Sequence, residues 1–132
     1  LSENHTINKI VDISLAKNTK QALRALNENI FSTDDMIIII RSYLMKSKRL
    51  LRLTTELEKN KNIDQVISAS KPPIFWKDKD IVKKQLKIWT KESATILIQN
   101  INEIELQLKK NSVSSLNILK DFIIEQSLKS NT

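Results

Sequence analysis

Few residues in this chain could do chemistry. His5 is the only histidine, and it lies near the start, in a stretch expected to fray. No serine nucleophile or second ligand sits at a useful spacing from it, so neither a Ser–His pair nor a histidine-based metal site can be assembled. The carboxylates come closest to pairing. Asp34 and Asp35 follow Ser32 and Thr33, and the start of a helix accounts for all four, because hydroxyls cap it and acids favour its positive end. Glu56 and Glu58 are two apart, as are Glu103 and Glu105. On a helix that spacing turns the two carboxylates away from each other. The Glu-x-x-His motif of di-metal helical bundles is absent. Cysteine is absent too, which removes disulfides, thiolate zinc sites and thiol nucleophiles together and is compatible with a cytosolic protein. So is glycine, although an average chain of this length carries about nine at ~7% usage. Without it there is no phosphate-cradling loop and no dinucleotide fingerprint. The reading is an interaction module with no catalytic residues, no cofactor and no metal.

One loop could bind rather than react. Trp76 stands beside Lys71, Lys77 and Lys79, just after Pro72 and Pro73. An exposed indole flanked by lysines can stack a nucleobase while the ammonium groups hold phosphate. The competing account is that Phe75 and Trp76 plug the core after the proline turn, and at least one of the two is expected to do so. Trp89 follows the helical spacing of Gln85 and Leu86 and is expected in the core.

Charge gives this loop a setting. The net charge is +7. Arg41 to Lys61 contributes +5, Lys71 to Lys91 another +5, and the rest of the chain −3. That patterning permits a polyanionic partner. The chain also holds 20 isoleucines, 18 lysines and 12 asparagines against 4 arginines, so a general drift toward those residues supplies much of the lysine.

The elements that must position these residues are helices. Ile7 to Lys17 reads as a short helix, and Thr19 to about Ile30 as a second, with Ala22, Leu23 and Leu26 at helical spacing. A long helix follows from about Asp34 to Lys59. Met36, Ile40, Tyr43, Leu44, Leu50, Leu51 and Leu57 form its apolar face, with Arg41, Lys48, Arg49, Arg52 and Lys59 opposite. Asn60 and Asn62 are expected to end it in the left-handed conformation that glycine usually takes. Ile63 to Ala69 is a short helix, and the two prolines make Lys71 to Trp76 a loop. From Asp78 or Asp80 a helix runs to about Lys110, with a bend near Thr90. Its second half repeats Ala94, Leu97, Ile101, Ile104 and Leu108, a heptad-like seam suited to antiparallel packing. Ser114 or Ser115 caps a last helix reaching about Lys129. Leu116, Ile118, Leu119, Phe122 and Ile123 cover more than one side of it, through burial on two faces or docking against another chain. The longest apolar run, Met36 to Ile40, falls far short of the ~18 residues of a membrane span. The fold expected is all-α, one bundle of about five to seven helices. Leu1 in place of methionine, with no apolar leader after it, reads as a removed leader or a piece of a longer chain.

Lys71-Pro72-Pro73-Ile74-Phe75-Trp76-Lys77, followed by Gln85-Leu86 and Trp89, resembles the C-terminal domain of the δ subunit of bacterial DNA polymerase III. Ile101 to Lys109, with Glu105 and Lys109, is similar to that family's late helix. Ala22 to Leu53 is similar to its leucine-rich helices joined by a short turn. Glu28-Asn29 stands there where members often have Glu-Gly, and the asparagine is expected to keep a left-handed residue. The resemblance covers nearly the whole chain.

It implies a collar domain of the clamp loader, the ATP-driven complex that opens the sliding clamp and places it on primed DNA in the cytoplasm. Residues 1–17 would be the end of a preceding module or the first collar helix, and 18–132 the collar domain. Its partners would be the τ/γ and δ′ subunits. The clamp would be touched only through N-terminal modules outside this chain, and no membrane is involved. Leu108, Leu119, Phe122 and Ile123 are the candidate subunit-interface residues, and Trp76, Lys77 and Lys79 the candidate DNA contacts. The alternative is a stand-alone basic helical domain that binds nucleic acid.

Overall fold

The computed structural model describes residues 2–29 and 31–128, without the side chains of residues 2–5, 112, 127 and 128. Seven α-helices and no strand occur among the described residues: α1 (Ser2–Leu15), α2 (Thr19–Glu28), α3 (Thr33–Lys59), α4 (Ile63–Ser68), α5 (Lys79–Ile88), α6 (Lys91–Lys110) and α7 (Ser115–Leu128). Short 3-10 turns, Trp76–Asp78 and Ser112–Ser114, lead into α5 and α7. None of the helices is long and apolar enough to cross a membrane. The fold is therefore all-α, as the periodicity predicts. The predicted ends at Ile30 and Lys129 fall outside the described residues.

The long helix α3 is the spine. Ser32 caps it by a reciprocal box, accepting from the Asp35 amide while the Asp35 carboxylate accepts from the Ser32 amide. Met36, Ile39, Ile40, Tyr43, Leu50 and Leu53 are its buried face. α6 lies along it with Ala94, Leu97, Ile101 and Leu108 inward and Ile104 half-buried. Arg41 reaches Glu105 near one end (3.8 Å) and Lys91 reaches Glu58 near the other (4.0 Å), so the two helices run antiparallel. These surface pairs mark the register and contribute little energy. α1, α4, α5 and α7 also pack on α3, and α2 packs against α1 and α7. A single apolar core takes residues from all seven helices, from Ile7 to Ile123.

Several expectations need correction. α1 begins at Ser2, so His5 lies within a helix, although its side chain is outside the described set. The inward face expected of this helix is as its spacing gives it, with Ile7, Ile10, Val11, Ile13 and Leu15 in the common core. The predicted bend at Thr90 is a break. Trp89 is extended (φ −91°, ψ 143°), and Thr90 and Ser93 cap a new helix reciprocally. The asparagines do not adopt the left-handed conformation. Asn29 and Asn60 are extended, and the only positive φ among the described residues is at Lys17 (64°). Amide chemistry replaces the glycine turn at two helix ends. Asn29 Nδ2 donates to the Ala25 carbonyl (2.7 Å), one of those a helix end leaves open, and Asn111 Nδ2 (3.2 Å) adds a second bond to the Gln107 carbonyl, which already accepts the Asn111 backbone amide (3.0 Å).

The core contains one polar junction. Asp12 on α1 is buried and accepts from Lys46 (3.0 Å) and Arg49 (3.4 Å) on α3. Gln85 on α5 donates through Nε2 to the Asp12 carbonyl (3.0 Å) and carboxylate (3.3 Å). Three helices are thereby tied at one carboxylate. Arg49, expected on the solvated face of α3, is instead half-buried here. Burial lowers its pKa from the ordinary value, and the charge of Asp12 opposes that shift.

Tyr43 is fully buried, shares a hydrogen bond with Ser14, and meets Phe122 edge-on at 5.3 Å. Burial raises its pKa above the usual tyrosine range, with the Ser14 bond opposing. A raised folded-state value means that this contribution to stability is complete below the unfolded pKa of about 10 and is lost as pH climbs above it. Tyr43 is the only tyrosine. In an alkaline titration, tyrosinate absorbance should therefore rise together with the loss of helical circular dichroism. A tyrosinate step completed while the helices stay intact would contradict this burial.

Candidate functional site

The turn between α4 and α5 displays its aromatic residues. Ser70, two residues past the end of α4, is buried. It receives Arg52 of α3 (3.4 Å) and donates to the Pro72 carbonyl (3.1 Å). The Lys71–Pro72 peptide is cis. Ile74 then enters the core at 7% exposure. Phe75 and Trp76 do not follow it: they are 57% and 69% exposed, their ring centroids 5.9 Å apart. The expectation that at least one of them plugs the core is thus corrected. Ile74 fills that role, and the 3-10 turn closed by the Asp78 amide on the Phe75 carbonyl (2.9 Å) holds the next two residues outside.

Cations accompany the rings. The Lys77 ammonium lies 5.4 Å from the centre of the Trp76 indole, within cation–π range. Lys71 and Lys79 are exposed in the same segment. The structure thus brings Trp76 and Lys77 into contact and leaves Lys79 exposed at the first position of α5. An indole face and nearby ammonium groups can bind a base and a phosphate together. Among the described residues, no group of three or more histidine or acidic side chains is placed to hold a metal.

Trp89 behaves as predicted. It is 5% exposed, and its Nε1 donates to the Leu15 carbonyl (2.7 Å). Lys17 lies over its ring (4.4 Å) and also donates to the Gln126 carbonyl, joining the α1–α2 turn to α5 and α7.

The four candidate interface residues are placed differently from expectation. Leu108, Leu119, Phe122 and Ile123 are 0–2% exposed and belong to the domain's own core. α7 covers more than one side with apolar residues because it packs against α2, α3 and α6 at once. The apolar surface left exposed is Ile38 and Met45 on α3, Ile96 and Leu106 on α6, and Val113, Leu116 and Ile124 in and before α7. Sequence periodicity could have flagged Met45 and Leu106, which sit outside the repeating face of their helices. The link from Arg52 to Ser70 carries no sequence signal, since it joins residues 18 apart through a turn.

No family model, curated protein or solved structure matches the chain.

Proposed function

We propose that this chain is the helical collar domain of a clamp-loader δ subunit, a non-catalytic piece that helps hold the ATP-driven pentamer together. The motif Lys71-Pro72-Pro73-Ile74-Phe75-Trp76-Lys77, with Gln85, Leu86 and Trp89 in register after it, carries this reading. Its residues divide into two groups. Ile74, Gln85, Leu86 and Trp89 are buried, whereas Phe75 and Trp76 are presented outward. The two outward rings are therefore available to a partner, whereas the four buried residues serve the fold.

The collar contacts would use the exposed apolar positions of α3, α6 and α7 in place of the buried set. A stable contact of this kind buries upward of ~1,000 Å². The test is reconstitution. The chain, fused to the N-terminal modules of a δ subunit, is mixed with τ/γ and δ′ and resolved by size exclusion. Entry into a stoichiometric pentamer is expected, with no ATPase activity from the fused subunit alone. Exclusion from the pentamer would sink the reading.

The exposed Trp76–Lys77 pair favours a second role, contact with DNA, and the same pair supports the alternative of a stand-alone nucleic-acid binder. Stacking of one base contributes roughly 1–3 kcal/mol. Trp76→Ala is therefore expected to weaken binding of single-stranded or primer–template DNA at least fivefold. Lys77→Ala should lower the slope of log affinity against log salt. Neither change should alter the unfolding free energy by more than about 0.5 kcal/mol, because both side chains are exposed. Unchanged affinity in Trp76→Ala would remove the turn from any DNA surface.

A further inference from the structure

α3 carries a second seam on its outer side. Ile38, Arg41, Met45, Lys48 and Arg52 recur at 3-4-3-4 spacing. At about 100° per residue they fall within roughly 80° of one another, opposite the buried face. All five are exposed, Met45 at 72% and Ile38 at 44%. The neighbouring helices leave this ridge open. α1 meets α3 on one flank, where Ser42 donates to Asn8 (2.9 Å) and Lys46 to Asp12, and α6 meets it on the other, where Arg41 reaches Glu105.

α6 adds a ridge of its own on the same side. Thr95, Gln99, Asn102 and Leu106, spaced 4-3-4, are exposed, and none is charged. Depletion of charge marks the middle of a protein contact. The antiparallel register set by Arg41 and Glu105 puts Leu106, 55% exposed, at a level between Ile38 and Met45. Three exposed apolar side chains thus flank one valley. Its border is basic: Arg41, Lys48, Arg52 and Lys109 stand there, and the acid among them, Glu105, is already paired with Lys109 at 2.9 Å. Lys48 has no ion-pair or hydrogen-bond partner among the described residues.

We infer that the outer face of the α3–α6 pair is a docking site for an acidic amphipathic helix of another protein chain. A seam at 3-4 spacing is what one helix presents to another. Helices pack with their axes roughly 8–10 Å apart, so a third helix lying over the valley touches both ridges. Its apolar stripe would meet Ile38, Met45 and Leu106, and its carboxylates Lys48 and Arg52. The apolar residues and the uncharged ridge of α6 favour a protein over nucleic acid, whose phosphates call for cations along the whole contact. The inference rests on the collar reading for the identity of the partner, a neighbouring subunit, but not for the partner's chemistry.

The test uses the whole chain and a labelled helical peptide of about 18 residues, built from leucine and glutamate in amphipathic register. A counterpart carries lysine at every glutamate position. Fluorescence anisotropy at physiological salt should show saturable 1:1 binding of the glutamate peptide and none of the lysine peptide. Ile38→Ser/Met45→Ser leaves the charge unchanged and should bind at least tenfold more weakly. Ile96→Ser/Ile124→Ser removes exposed apolar side chains from other faces and should bind like the parent. Equal binding of the two peptides, or equal loss in the two variants, would overturn the inference. So would a loss in Lys48→Glu without one in Ile38→Ser/Met45→Ser, which would make the face a polyanion site for nucleic acid. If the chain self-associates in sedimentation and the glutamate peptide dissociates it, the occupant is a second copy and not a different chain. Reconstitution separates this inference from the collar reading. A pentamer that forms equally well with Ile38→Ser/Met45→Ser overturns the docking face alone, and a parent chain that stays out of the pentamer overturns the collar reading alone.

Discussion

Asp12→Ala should destabilise the domain by about 3–5 kcal/mol, the usual cost of removing one partner from a buried ion pair. Its carboxylate is the shared acceptor for Lys46 and Arg49, whose side chains are only 12% and 17% exposed. Without it, two cations remain in a site that water reaches poorly. Arg49 is the more exposed to this loss, since its Nε already lacks an acceptor. Gln85 would keep its bond to the backbone carbonyl of residue 12, so the helices would stay near one another while the charge went unanswered. Urea unfolding followed by circular dichroism measures the effect. A companion variant separates charge from packing: in Asp12→Leu/Lys46→Met/Arg49→Met the whole cluster becomes apolar, and most of the lost stability should return. A shift below about 1 kcal/mol in Asp12→Ala would show that solvent, not Asp12, compensates the two cations.

Phe122→Ala should cost about 3–5 kcal/mol, as for other large aromatic side chains cut from a core. The ring is 2% exposed and forms the edge-on partner of Tyr43, so its removal leaves a cavity bounded by α3, α6 and α7. Ile124, two residues further on and 39% exposed, is the internal control. Ile124→Ser should change stability by less than about 1 kcal/mol. The comparison decides between core and interface for α7. If Phe122→Ala left the thermal midpoint unchanged while assembly failed, the ring would belong to a subunit contact after all.

The helices themselves were readable in the sequence because their apolar residues recur at a single period. The face of α3 and the seam of α6 emerge from spacing alone, and both pack as that spacing requires. What was not readable depends on partners distant in the chain. Arg49 lies opposite the apolar face, and only Asp12, 37 residues earlier, explains its burial. The break at Trp89 was hidden by apolar spacing that continues across it. Its one local signal was the Thr90–Ser93 cap, with serine in the place a capping box usually gives to glutamate or glutamine. In the candidate turn, Lys71 to Lys79 was legible as a basic aromatic loop. Which of Ile74, Phe75 and Trp76 would face inward was not, because three consecutive large apolar residues in a loop carry no periodicity. The apolar breadth of α7 was seen, but breadth alone does not distinguish three neighbours in one fold from one neighbour in another chain.

The amide caps give the domain an uneven response to chemical ageing. Asparagine can lose its side-chain amide to become aspartate, and the outcome depends on which helix end it serves. Asn18 and Asn62 accept from the first-turn amides of α2 and α4. Aspartate does that equally well and adds a charge the positive helix end favours. Asn29 and Asn111 do the reverse, donating Nδ2 to the last carbonyls of α2 and α6. There the conversion removes the donor and sets a negative charge against the negative end of the helix. An aged sample would therefore keep its helix starts while α2 and α6 frayed from their C-terminal ends.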